Sequence, residues 1–185
     1  VHDPSVMRDV DGRFYIYGSH MQAAWSDDLV NWKMFSKLEK CNLQPNYAVE
    51  FKEALTFAET GTFWAPDVIQ LADGRYYMYY CCCEGSKPLS ALGVAVSDSP
   101  TGPFEDKGCI VGYKSDNATK NVDNSIDPCY FEDGGKKYLI WGGYATYGGI
   151  HIIELSEDRD AECVGHTDVF LCSQREIDDR EAFSI

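Results

Sequence analysis

Three stretches of this chain copy one another at a fixed offset, and no other feature restricts its fold so strongly. They read HDPSVMRDVDGRFYIYGSH (2–20), WAPDVIQLADGRYYMYYCCC (64–83) and IDPCYFEDGGKKYLIWGGY (126–144). Pro4, Pro66 and Pro128 stand 62 positions apart each time. Each copy offers a proline, a short apolar strand, a tight turn and a second, aromatic-rich strand. The turns hold Asp11-Gly12, Asp73-Gly74 and Gly134-Gly135, pairs that supply the positive φ angles of two-residue hairpins. In the strand after the first turn, Phe14 and Ile16 are expected to face one way and Tyr15 and Tyr17 the other.

The rest of each unit recurs more loosely. Ala23-Ala24-Trp25-Ser26-Asp27-Asp28, Gly93-Val94-Ala95-Val96-Ser97-Asp98 and Gly149-Ile150-His151-Ile152-Ile153-Glu154-Leu155 occupy matching places. About four short strands per unit, at a long fixed period, is the sequence signature of β-propeller blades. No stretch carries a helical stripe of useful length. Lys37 to Glu59 reads as an irregular loop insertion between the first two units. Three blades are too few to close a ring, so the 185 residues are expected to be part of a larger propeller, with exposed strand edges toward the C-terminal side.

Composition narrows the partners. Lys and Arg total 16 against 30 Asp and Glu, a net charge of -14. Phosphate recognition needs clustered cations, so nucleic acid and anionic membrane are excluded, and neutral ligands such as sugars remain open. No apolar run reaches the roughly 18 residues of a membrane span. The eight cysteines include three in a row, Cys81-Cys82-Cys83, and no C-x-x-C pair. They read as small buried hydrophobes of a chain kept reduced rather than as a disulfide framework or zinc site. The four histidines, His2, His20, His151 and His166, show no metal spacing. Nucleophile-elbow, zinc-protease, phosphate-loop and dinucleotide motifs are missing from the sequence.

The chemistry sits before the prolines. Asp3-Pro4 and Asp127-Pro128 occupy equivalent places, and the middle copy has Ala65-Pro66 followed by Asp67. Proline is expected to hold the preceding residue extended. The first strand of a blade lines the central channel, so carboxylates opening two such strands converge near the axis. Paired acids in an aromatic-rich pocket are what glycosidic hydrolysis uses. Asp before Pro is also ordinary strand-entry turn chemistry, so repeat logic leaves both readings standing. Asp67 either points into the channel or caps its local turn, and the cap is the preferred reading. Trp25, Trp32 and Trp141 read as packing residues, while Trp64 is either a stacking platform for a sugar or part of the channel wall.

The segments Val1-His2-Asp3-Pro4-Ser5-Val6, Phe63-Trp64-Ala65-Pro66-Asp67-Val68 and Asn124-Ser125-Ile126-Asp127-Pro128 resemble glycoside hydrolase family 43. The resemblance runs along essentially the whole chain. It implies an all-β, five-bladed β-propeller, of which about three blades are present here, roughly 1–62, 63–124 and 125–185 of one partial catalytic domain. It implies cleavage of α-L-arabinofuranosyl linkages with inversion, on arabinan or arabinoxylan of plant cell walls. His2-Asp3-Pro4 is most similar to endo-1,5-α-L-arabinanases; a β-xylosidase, an α-L-arabinofuranosidase or a non-catalytic sugar-binding propeller are the alternatives. Asp3 matches the general base and Asp127 the auxiliary aspartate that keeps the acid's pKa raised. The general acid is a glutamate that the resemblance places beyond residue 185, with Glu181 as the other candidate, so the isolated chain is expected to be inactive. His2, Trp64 and Asn124 are the candidate substrate contacts. No cofactor is required, and no metal ligand is assigned, although the complete propeller admits a calcium ion. The family is often secreted or periplasmic, whereas the cysteine usage fits a reducing compartment such as the cytoplasm.

Overall fold

The computed structural model describes residues 1–37, 45–84, 89–114, 125–142, 149–155 and 169–173. Their architecture is three four-stranded antiparallel sheets, each a simple meander. The first contains β1 (Ser5–Arg8), β2 (Phe14–Gly18), β3 (Gln22–Ser26) and β4 (Lys33–Met34). The second contains β5 (Asp67–Gln70), β6 (Tyr76–Cys83), β7 (Leu89–Ser97) and β8 (Glu105–Lys114). The third contains β9 (Ile126–Asp133), β10 (Lys136–Gly142), β11 (Gly149–Leu155) and β12 (Val169–Ser173).

The alternation expected for β2 holds. Tyr15 and Tyr17 are buried, and Phe14 and Ile16 are only partly so. The turns correct the sequence reading in part. Only Gly134-Gly135 forms a two-residue hairpin, with φ of 57° and 81°. The first two loops run five residues, 9–13 and 71–75. In both, a β-turn closes on the glycine: Gly12 N–H donates to Asp9 C=O and Gly74 N–H to Leu71 C=O, at 2.8 and 2.9 Å. Asp11 and Asp73 keep negative φ while Gly12 and Gly74 take 85° and 83°. That is the longer hairpin with a glycine bulge, which needs a single left-handed residue rather than two.

The second sheet is packed on both faces, which explains its composition. All eight residues of β6, YYMYYCCC, are buried. Tyr76, Met78, Tyr80 and Cys82 join a core shared with the first sheet, through Met7, Tyr15, Tyr17 and Ala23. Tyr77, Tyr79, Cys81 and Cys83 join a core shared with the third sheet, through Tyr130, Leu139, Trp141 and Ile153. A strand covered on both sides reads as a continuous apolar run, because both side-chain directions are dry. The cysteines are the small residues of that run and are unpaired thiols.

The insertion after the first sheet is more ordered than its sequence suggests. It contains a short helix, α1 (Glu53–Ala58), and buries Tyr47, Phe51, Ala54 and Ala58 in the first core. Phe51 stacks on Tyr80 at 4.5 Å between ring centroids, and Tyr47 packs edge-on to Phe35 and Phe104 at 5.3 and 6.3 Å. Such pairs add about 0.5–1.5 kcal/mol each beyond the area they bury. A helix of six residues is too short to print a periodicity.

Candidate active site

One register irregularity recurs in all three sheets, just before the proline. In the third, Cys129 pairs with Ile140 and Ile126 with Gly142, so β9 advances three residues while β10 advances two. In the first, Ser5 pairs with Tyr17, and Ser19 N–H then donates to His2 C=O at 2.9 Å, again three against two. In the second, Asp67 pairs with Tyr79 and Trp64 N–H donates to Cys81 C=O at 3.0 Å. Proline has no N–H for the ladder, so the strand bulges there and re-aims the neighbouring side chain.

The bulge corrects one expectation. Asp3 and Asp127 are not extended; they take left-handed φ of 48° and 54°. Ala65, their counterpart, has no positive φ. Aspartate tolerates this region better than most side chains, yet the conformation stores strain of about 1–3 kcal/mol when the surroundings enforce it.

The three bulges meet. A cleft of about 350 Å³ is lined by Asp3, Pro4, Ser5, then Ala65, Pro66, Asp67, then Asp127, Pro128, Cys129. These are the same three repeat positions taken three times, at the 62-residue offset. Asp3 and Asp127 therefore share one concavity.

Local partners fix each group. Gly18 admits the N-terminal segment: a Cβ there would lie 2.3 Å from the His2 carbonyl oxygen and 2.4 Å from Val1. Ser19 Oγ–H donates to Asp3 Oδ2 at 2.7 Å, and His2 Nδ1 lies 2.6 Å from the same oxygen. Asp127 N–H donates to the fully buried Cys81 Sγ at 3.4 Å, and that thiol donates to Ala65 C=O at 3.4 Å. Desolvation raises the Asp127 carboxyl above the usual aspartate value, and the Asp3 charge raises it further. Burial and Asp67 push up the exposed Cys129 thiol.

Asp67 does not cap its own turn. Its Oδ1 accepts from Ser5 Oγ–H and its Oδ2 from Tyr130 N–H, both at 2.8 Å, so it reaches the first and third sheets at once. Its partners lie 62 and 63 residues away, beyond any local pattern, although Ser5 is its own repeat counterpart.

The other sequence candidates divide. His2 is exposed beside Asp3. Trp64 is partly buried, donates its indole N–H to Cys83 C=O at 3.0 Å and touches the His20 ring at 5.2 Å. Neither is among the residues lining the cleft. Asn124 and Glu181 lie outside the described residues. Trp141 is buried and stacks on His151 at 5.3 Å, and Trp25 lies between Arg13 and Lys33 at 4.1 and 4.5 Å. Trp32 donates its indole N–H to Leu29 C=O at 3.1 Å. Among the described residues no group of three or more His, Cys, Asp or Glu is arranged to hold a metal ion.

The profile of glycosyl hydrolases family 43 matches residues 1–172. The chain belongs to that family. Among curated relatives, the extracellular endo-α-(1→5)-L-arabinanase 2 of Bacillus subtilis is 43% identical over 168 residues, covering 84% of this chain and 35% of its own. The extracellular endo-α-(1→5)-L-arabinanase of Thermotoga petrophila is 39% identical over 171 residues, with shares of 84% and 36%. Among solved structures, an endo-1,5-α-L-arabinanase from Thermotoga petrophila matches with a TM-score of 0.72 and 34% identity, covering 89% of this chain and 40% of that one. An α-L-arabinanase from Cellvibrio cellulosa, complexed with arabinohexaose, matches with a TM-score of 0.68 and 26% identity, with shares of 97% and 56%. The chain thus spans about a third of the length of these curated relatives. Among the described residues no helix is long and apolar enough to cross a membrane.

Proposed function

We propose that the protein carrying this chain is an endo-1,5-α-L-arabinanase acting outside the cell, as its relatives' names say of them, and that it inverts the anomeric centre. The three sheets are three blades of a five-bladed propeller, with boundaries near 62 and 124. The observation that carries the reading is the meeting of the three repeat triplets in one cleft, with aspartates in two of the three pre-proline places.

Asp3 is the general base. Both of its polar contacts fall on Oδ2, so Oδ1 is the oxygen that takes a proton from water as the water attacks the anomeric carbon. Ser19 and His2 hold the carboxylate in one orientation for that transfer. Asp127 is the auxiliary acid. Desolvation and Asp3 raise its carboxyl above the usual aspartate value, and in its ionised form it raises the pKa of a glutamate that protonates the leaving oxygen. In an inverting enzyme the acid stands about 6.5–9.5 Å from the base, which leaves room for the water. Trp64, one residue before Ala65 and fixed by its indole hydrogen bond, offers a ring face to a furanose. His2 and Asn124 supply polar contacts to the sugar. No cofactor enters, since acid–base chemistry suffices.

The test is hydrolysis of linear 1,5-α-arabinan by the complete protein, followed by reducing ends and by proton NMR of the first product. Asp3→Asn is expected to lower kcat by about 10²–10⁴-fold, and the first product carries the inverted anomeric configuration. Wild-type turnover in Asp3→Asn, or retained configuration, overturns the assignment. Aryl β-xyloside cleaved in preference to arabinan moves the substrate to xylan.

A further inference from the structure

The middle sheet supplies no carboxylate at the pre-proline position, where Ala65 stands. Instead, Asp67 occupies the post-proline place that Ser5 and Cys129 hold in the other copies. Both of its oxygens are used, and each contact crosses to a different sheet. Ser5, two residues after Asp3, donates to one oxygen; the backbone N–H of Tyr130, three residues after Asp127, donates to the other. Ser5 Oγ in turn accepts from Val68 N–H at 3.2 Å, which ties β1 to β5 a second time. Hydrogen bonds to an ionised acceptor are roughly twice as strong as neutral ones.

We propose that Asp67 is a positioning residue: it clasps β1 and β9 to β5 and so sets the separation of Asp3 and Asp127. The proposal rests on the catalytic reading of those two aspartates given above. Cys81 supports the clasp from the far side of the bulge, where its thiol joins Ala65 C=O to Asp127 N–H. The left-handed φ of both aspartates persists only where the surroundings enforce it. Asp67 touches neither reacting atom in this scheme; its effect passes through the two strands.

The test uses the complete protein with Asp67→Asn, Ser5→Ala and Ser5→Thr. The asparagine is nearly isosteric but uncharged, and it presents an NH2 where one acceptor oxygen was, so the Ser5 hydroxyl no longer donates to a carboxylate there and the clasp is weakened. Misplacement by about 1 Å can cost on the order of 10²-fold in rate. Asp67→Asn is therefore expected to lower kcat on arabinan by about tenfold to a hundredfold, with KM within about twofold. Ser5→Ala moves in the same direction, and Ser5→Thr, which restores the hydroxyl, recovers the rate. A carbon-13 titration of the Asp127 carboxyl reads the geometry directly. Asp3, itself paired with His2, faces it from the N-terminal segment, Asp67 from β5, Cys81 and Cys83 from β6, and Cys129 from its own strand. Ser5→Ala removes none of these groups, so a fall in the Asp127 midpoint reports a wider gap to Asp3. If Asp67→Asn does not fold, Ser5→Ala and Ser5→Thr carry the test alone. Unchanged kcat in the folded variants, together with an unmoved midpoint, overturns the clasp. Should the wild-type protein leave arabinan intact, the catalytic reading fails, and the titration alone decides whether Asp67 holds the two strands.

Discussion

Asp127 is held where its charge is unwelcome. Desolvation and the neighbouring Asp3 both favour its neutral form, and its backbone sits at φ 54°. The linkage has a definite sign. A carboxyl whose folded pKa is raised contributes stability below its unfolded pKa and loses it as pH rises through the folded value. Near pH 7 the ionised Asp127 is therefore a cost to the fold. Asp127→Asn removes the charge and keeps a side chain that tolerates the left-handed region. Its melting temperature is expected to exceed wild type at pH 7, and the gain should close near pH 3, below the ordinary aspartate value of about 3.9. Thermal scans by circular dichroism at the two pH values check this. An equal gain at both removes charge as the cause. Stability stored against function in this way is usual at active sites.

At the scale of the element, the shared unit is a strand entry: proline, one-residue bulge, short strand. The strand entry of the first sheet depends on Gly18 at the end of β2, because the His2 carbonyl passes within 2.3 Å of where a Cβ would stand. The obstacle is backbone, which cannot swing aside as a flexible side chain would. Gly18→Ala is expected to displace residues 1–3, break the Ser19–His2 bond and lower kcat on arabinan by up to about 10²-fold, while the far-UV spectrum stays that of the parent. Activity within twofold of wild type would show that Asp3 is placed without this contact. Much of the element level was readable in the sequence. The 62-residue offset of the prolines located the three cleft-lining triplets, and the alternation in β2 gave its buried face. Other features were not. Asp-Gly marks a turn but not its length, so two five-residue loops read as two-residue ones. The rule for residues before proline predicts extended backbone, and it failed at Asp3 and Asp127 because the bulge at the proline outweighs local preference. Asp67 looked like a turn cap because both of its partners come from other sheets.

Over the whole molecule the excess of acids is large, -14 in 185 residues, and three of the carboxylates converge on the cleft. Such a surface repels polyanions and raises no barrier to an uncharged chain. A neutral arabinan as substrate would be guided by no long-range field, and screening would have nothing to remove. At 0.05 M salt the Debye length is above the roughly 10 Å of 0.1 M, and it falls to a few ångströms near 1 M. If the substrate is a neutral arabinan, kcat/KM should vary by less than about twofold between these limits, because association is not electrostatically steered. Polygalacturonate, an acidic neighbour of arabinan in pectin, should not compete at low salt and should gain little affinity at high salt, since the cleft offers carboxylates where a uronate would need cations. Initial rates on linear arabinan across the salt series, with and without the polyanion, check both statements. A steep fall of kcat/KM with salt, or inhibition by polygalacturonate at low ionic strength, would mean that cations outside the described residues guide a charged substrate to this cleft.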